Sequence, residues 1–114
     1  PLICDSKSIR EFSNMVQNSS FECCQYFEIS PEKEDFVYVD PPYHDTFTDY
    51  TKNKFGENQQ IELKKFVDTL TNSGVKVLLS NNNTEFIRNL YSNYIQIDVS
   101  TKYSVGGCQL LLIS

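Results

Sequence analysis

The sequence predicts an α/β fold built on a largely parallel sheet. Two short runs, Phe36–Val39 and Val75–Leu79, are rich in β-branched and aromatic residues that suit a buried, pleated surface. Between them lies a segment with helical apolar spacing, and a second such segment follows the later run. Strand, helix, strand, helix is the βαβ rhythm of a parallel sheet. A length of 114 residues bounds the chain to one small domain or part of one.

In chain order, Ile9, Phe12, Met15 and Val16 fall at helical spacing and predict a short amphipathic helix from Lys7 to Gln17, with Ser6 or Ser8 as its cap. Ser20–Cys24 reads as a short strand. Pro31–Asp35 is a polar turn leading into the first apolar strand, which ends abruptly at Asp40-Pro41-Pro42-Tyr43. Proline has no backbone N–H and fixes φ, so the ladder stops there and Asp40 is driven toward an extended conformation. The resulting stiff loop offers a carboxylate, the Pro41 carbonyl and the flat Tyr43 ring at the carboxyl edge of a strand, where open α/β sheets bind ligands. That set suits a planar ring bearing an exocyclic amino group. Asp40 and the Pro41 carbonyl accept its two N–H donors, Tyr43 stacks on the ring, and the nitrogen lone pair is left facing an electrophile. The plain alternative is a Pro-Pro turn with a solvated Asp and a packed Tyr.

The segment from Tyr43 to Asn58 has no clear period and reads as a long loop of the functional kind. Asn58–Thr71 follows as a helix with Ile61, Leu63, Phe66, Val67 and Leu70 on its apolar face, stopped by Asn72-Ser73-Gly74. Val75–Leu79 is the second buried strand, and Asn82 or Asn83 caps a helix running to about Tyr91. Tyr94–Val99 and Gln109–Ile113 read as a terminal hairpin joined through Gly106-Gly107.

Asp-Pro-Pro-Tyr after an apolar strand resembles the catalytic motif IV of S-adenosylmethionine-dependent amino-methyltransferases. Phe47-x-x-Tyr50, Phe55, Gln60, and Val77-Leu-Leu-Ser80-Asn81 with Thr84 behind it narrow the resemblance to Dam-like DNA adenine methyltransferases, over most of Phe21–Ser114. The resemblance implies a Rossmann-like methyltransferase sheet, mixed through an antiparallel terminal strand and incomplete on its N-terminal side. Residues 1–114 would then be the C-terminal part of a catalytic domain, since no Phe-x-Gly-x-Gly-like cofactor loop and no target-recognition segment occur in the sequence. It implies Asp40, Pro41, Pro42 and Tyr43 as catalytic residues. Phe21, Glu22 and Cys23, in a stretch similar to motif III, together with Asp40, would serve S-adenosylmethionine. Gln25 stands where the family carries an acidic residue. Phe47, Tyr50, Asn81, Lys102 and Ser104 would face double-stranded DNA and the extruded base, although most of the family's basic loop beyond Lys102 is missing.

Composition narrows the rest. Fifteen acidic residues against ten Lys and Arg give a net charge of −5, which disfavours this chain as a DNA-gripping surface on its own, because phosphate contacts need clustered cations. Cys4, Cys23, Cys24 and Cys108 form no Cys-x-x-Cys, so reduced, mostly buried thiols are expected, with no metal. His44 is expected to be solvated. No apolar stretch approaches the roughly 20 residues of a spanning helix, and no targeting segment opens the chain, so a soluble cytoplasmic or nucleoid setting is expected, with a missing N-terminal half or another subunit as partner. The expected activity is methyl transfer to the amine of a flipped adenine in DNA. The alternatives left open are an amino-methyltransferase on RNA or protein and an inactive homologue serving as a binding module.

Overall fold

A computed structural model describes residues 5–45 and 55–100 with their side chains, and 108–113 as backbone. Helix α1 spans Ser6–Met15, strand β1 Phe36–Val39, helix α2 Glu57–Asn72, strand β2 Lys76–Asn82, helix α3 Glu85–Leu90, strand β3 Ile95–Ser100 and strand β4 Cys108–Ile113. The four strands form one mixed sheet in the order β1-β2-β4-β3. β1 runs parallel to β2, from Phe36 opposite Lys76 to Val39 opposite Leu79. The terminal hairpin folds back so that β4 lies antiparallel to both β2 and β3.

Period-two alternation assigns the faces of this sheet. Val75, Val77 and Leu79 point to the side covered by α2 and α3, where they join Leu63, Val67, Leu70, Ile87 and Tyr91 in a buried core flanked by Val37 and Val39. Phe36, Tyr38, Ile95 and Ile97 are exposed, and register puts Tyr38 and Ile95 in line with Leu78 on the opposite face. The expectation that β1 is a buried strand therefore holds on one face only. β1 is an edge strand with half its side chains in the open.

α2 ends as its sequence requires. Gly74 adopts φ +87°, its N–H donates to Thr71 O at 3.0 Å, and Val75 N–H donates to Leu70 O at 3.0 Å. These two bonds are a Schellman closure, which turns the chain straight into β2.

Three N-terminal expectations are corrected. The cap of α1 is Asp5, which accepts from Lys7 and Ser8 N–H, because a carboxylate one residue earlier reaches both orphan donors. The helix buries none of its residues, and Ile9, Phe12 and Met15 are exposed. Ser20–Cys24 is irregular rather than a strand, since no described strand lies alongside to supply ladder partners. Cys23 and Cys24 are accordingly exposed thiols, not buried ones.

A fourth correction concerns the asparagine run. Asn81 and Asn82 continue β2 by pairing with Leu110 and Gln109 of β4, and the cap of α3 is Thr84, whose Oγ1 accepts from Ile87 N–H at 3.2 Å.

Candidate active site

The loop leaving β1 is held from below by side chains of three other elements. Ser80 of β2, 1% exposed, donates its hydroxyl to Asp40 Oδ1 at 2.7 Å, and Tyr38 Oη donates in turn to Ser80 Oγ at 3.3 Å. Gln60 of α2 and Asn81 of β2 are both 0% exposed. Gln60 Nε2 donates to the Pro42 carbonyl at 2.9 Å, Asn81 Nδ2 donates to Gln60 Oε1 at 3.0 Å, and Asn81 Oδ1 accepts from His44 N–H at 2.8 Å and from Asn82 N–H. Asn82 Nδ2 closes the grip on the His44 carbonyl at 2.7 Å. A buried amide without partners would be costly, and here the two side-chain amides satisfy each other and the loop backbone together.

His44 is drawn into this frame rather than solvated. Its Nδ1 lies 2.8 Å from Thr84 Oγ1, its ring packs on Phe86 with centroids 4.7 Å apart, and its Nε2 stands 4.0 Å from Glu57 Oε2. One hydroxyl, Thr84 Oγ1, thus both caps α3 and anchors the loop. Asp45, the next residue, takes a positive φ of 63°.

Beside the loop opens a cleft of about 250 Å³ lined by Tyr26, Ile29, Tyr38, Val39, Asp40, Pro41, Pro42, Phe55, Leu63 and Phe66. Tyr26 meets Phe66 edge-on with centroids 5.2 Å apart, so the cleft has aromatic walls and a carboxylate at its rim. Its largely apolar, aromatic lining suits an apolar ring with a polar edge.

The structure brings Asp40, Pro41, Pro42 and Tyr43 together with Asn81, as their place at the end of β1 and next to β2 requires. Asn81 lies on the site side, beneath the loop and 0% exposed, with its amide engaged by Gln60, His44 and Asn82. Phe21, Glu22 and Cys23 are exposed and do not line the cleft. The wall is built instead from Tyr26 and Ile29, a few residues later, where the 3₁₀ turn Tyr26–Glu28 points Tyr26 inward. The aromatic pair Tyr26-Phe27 ahead of Ile29 was the available signal. Phe47, Tyr50, Lys102 and Ser104 lie outside the described residues. Among the described residues no cluster of three or more His, Cys, Asp or Glu could hold a metal, and no helix is long and apolar enough to cross a membrane.

Comparison with known proteins gives a consistent picture. Residues 2–105 match the family described as D12 class N6 adenine-specific DNA methyltransferase. The chain is similar to the retron Ec67 DNA adenine methylase of Escherichia coli, with 34% identity over 88% of this chain and 36% of that protein. It is similar as well to the type II methyltransferase M.MjaIII of Methanocaldococcus jannaschii, with 38% identity over 82% of this chain and 35% of that protein. A third relative, the type II methyltransferase M.CviBI of Paramecium bursaria Chlorella virus NC1A, is 39% identical over 68% of this chain and 28% of that protein. The chain spans about a third of the length of these relatives.

Proposed function

Because the chain belongs to the D12 class of N6 adenine-specific DNA methyltransferases, we propose that it forms the methyl-transfer side of an enzyme that methylates the exocyclic amine of adenine in double-stranded DNA. The observation that carries this reading is the clamped Asp40-Pro41-Pro42-Tyr43 loop. Ser80 engages Asp40 Oδ1 and Gln60 engages the Pro42 carbonyl, while among the described residues that network reaches neither Asp40 Oδ2 nor the Pro41 carbonyl. These two oxygens are the acceptors for the two N–H bonds of the amine, and Tyr43 is the stacking surface for a base extruded from the duplex.

The aromatic lining of the cleft fits the adenine portion of S-adenosylmethionine, which Tyr26, Phe55 and Phe66 would hold, with Asp40 and Pro41 also lining the site. When bound, that cofactor supplies an electrophilic methyl group, whose bond to sulfur breaks as the amine nitrogen bonds to the carbon. Asp40 orients the amine for this in-line attack, and its Oδ2 is placed to take the proton that the nitrogen sheds. Most of the gain is positional, and well-oriented reactants can draw roughly 7–11 kcal/mol from such placement.

The sheet belongs in this reading to a Rossmann-like methyltransferase domain. The remainder of the longer enzyme covers the bare face carrying Phe36, Tyr38, Ile95 and Ile97 and pairs with the free edge of β1, since strands of a parallel sheet ordinarily have both faces buried. It also carries the cofactor's methionine end and much of the DNA grip, for which a chain of net charge −5 is poorly suited.

The test is to incubate the full-length protein carrying this segment with methyl-labelled S-adenosylmethionine and, separately, duplex DNA, RNA and a protein substrate. Label recovered as N6-methyladenine from the DNA is the expected result. Label only in RNA or protein, or DNA binding with no transfer at all, contradicts the proposal.

A further inference from the structure

We infer that Gln60 and Asn81 are positioning residues for methyl transfer, acting as a pair of buried amides that sets the attitude of Tyr43. This rests on the proposed role of the loop and adds residues to it. The two backbone groups they hold are the Pro42 carbonyl and the His44 N–H, which flank Tyr43 on either side. Fixing both fixes the peptide planes between which the tyrosine Cα sits, and through them the direction in which its ring leaves the loop.

The polarity of the network leaves one consistent assignment. Asn81 Oδ1 must accept, because both groups facing it, His44 N–H and Asn82 N–H, are donors. Asn81 Nδ2 must therefore donate, Gln60 Oε1 must accept, and Gln60 Nε2 is left to donate to a carbonyl. Neither amide can flip without setting like against like. Both side chains are 0% exposed, and they come from different elements, α2 and β2, so the loop is referenced to the rigid core of the fold. A buried polar pair that bonds within itself and to the loop backbone on both sides of Tyr43 is an arrangement that positions, since an apolar pair would fill the same space.

The experiment compares the full-length enzyme with Gln60→Leu and Gln60→Glu variants. Gln60→Leu keeps bulk and removes the donor to Pro42. Its cofactor affinity should stay within about twofold, while kcat falls about a hundredfold, the size of effect that a displacement of about 1 Å produces. With 2-aminopurine at the target base, fluorescence should still rise on extrusion but escape quenching by Tyr43, matching the signal expected of a Tyr43→Ala control run beside it. Gln60→Glu supplies the second readout. Its neutral carboxyl reproduces the amide's donor and acceptor, whereas its ionised form sets an oxygen against the Pro42 carbonyl. The variant's kcat should therefore fall with rising pH through one ionisation that the parent lacks. Asp40, Tyr43 and His44 of the loop and Glu57 and Lys64 of α2 are common to both proteins, so the difference profile isolates position 60.

Parental kcat in Gln60→Leu with a quenched signal overturns the inference, as does a Gln60→Glu profile that parallels the parent. Asp40→Ala, run alongside, separates the two levels: transfer surviving that change defeats the proposed role of the loop, whereas its loss with Gln60 variants unaffected defeats only the positioning pair.

Discussion

Asp40 owes its direction to Ser80. A hydrogen bond from a neutral donor to a charged acceptor contributes about 1.5–3 kcal/mol, and the 2.7 Å contact between Ser80 Oγ and Asp40 Oδ1 is the one that orients the carboxylate. If that orientation is spent at the reacting amine, Ser80→Ala should lower kcat by roughly 10- to 100-fold in the folded protein, beside a fall of several degrees in the thermal midpoint from the lost bond. Steady-state kinetics beside a melting curve check this. The Asp-Pro-Pro-Tyr residues were legible in the sequence because their chemistry is local: a carboxylate, two prolines and a ring in consecutive positions. Tyr26 and Ile29 were not, because nothing in the sequence says which aromatic of a loop turns toward a cleft made by Phe55 and Phe66 far along the chain. Gln60 was visible as a motif residue, but its partner atoms lie 18 and 21 positions away, and only the fold brings them together.

At the scale of elements, α2 and its closure were readable almost to the residue, since the apolar spacing and Gly74 are both local signals. Gly74 at φ +87° is where a side chain is strained, and a Cβ there would stand 3.0 Å from Lys33 Cγ, the stem of a flexible chain that can move. Gly74→Ala should therefore destabilise the fold by about 1–2 kcal/mol, the left-handed penalty alone, measurable by denaturant titration. The end of β2 misled because asparagines are turn formers by habit, and it took the long-range pairing with β4 to draw Asn81 and Asn82 into a strand. That pairing also moved the α3 cap on to Thr84. Thr84→Ala should cost about 1 kcal/mol as a lost cap and release His44 from its 2.8 Å partner. Thr84→Ser, which keeps the hydroxyl, should restore both stability and turnover, whereas a helix cap alone would restore stability without touching kcat.

At the scale of the molecule, α2 is tied to the approach to β3 by a small polar cluster. Tyr94 Oη donates to Asp68 Oδ1 at 2.5 Å and sits 3.0 Å from Thr71 Oγ1, and Lys64 Nζ pairs with Asp68 at 2.7 Å. Burial, with the hydrogen bond to Asp68, pushes the Tyr94 hydroxyl up to about 12 from its ordinary 10.0, and burial raises Tyr91 beside it as well. The neutral forms are favoured in the fold, so their contribution is whole below about pH 10, where the unfolded chain begins to ionise, and drains away as pH climbs toward 12. Tyr94→Phe should flatten part of the loss of thermal stability across that window, with Tyr91 retaining the rest. The α/β class and the parallel run of β1 and β2 could be read from the sequence because apolar runs separated by a helical segment are a general βαβ signal. α1 was legible as well, the helical spacing over Lys7–Gln17 meeting the observed Ser6–Met15; what eluded the sequence were its cap and Ser20–Cys24, which has no described strand beside it to supply a ladder.

The central claim is that the loop from Asp40 to Tyr43 performs methyl transfer. It is tested most directly by single-turnover transfer of labelled methyl to duplex DNA by the full-length protein and its Asp40→Ala variant, with circular dichroism showing both folded. Loss of transfer by a factor of about 1,000 or more in the variant, with DNA binding retained, is the result this account expects. Transfer by a folded Asp40→Ala protein within a few-fold of the parent would contradict it.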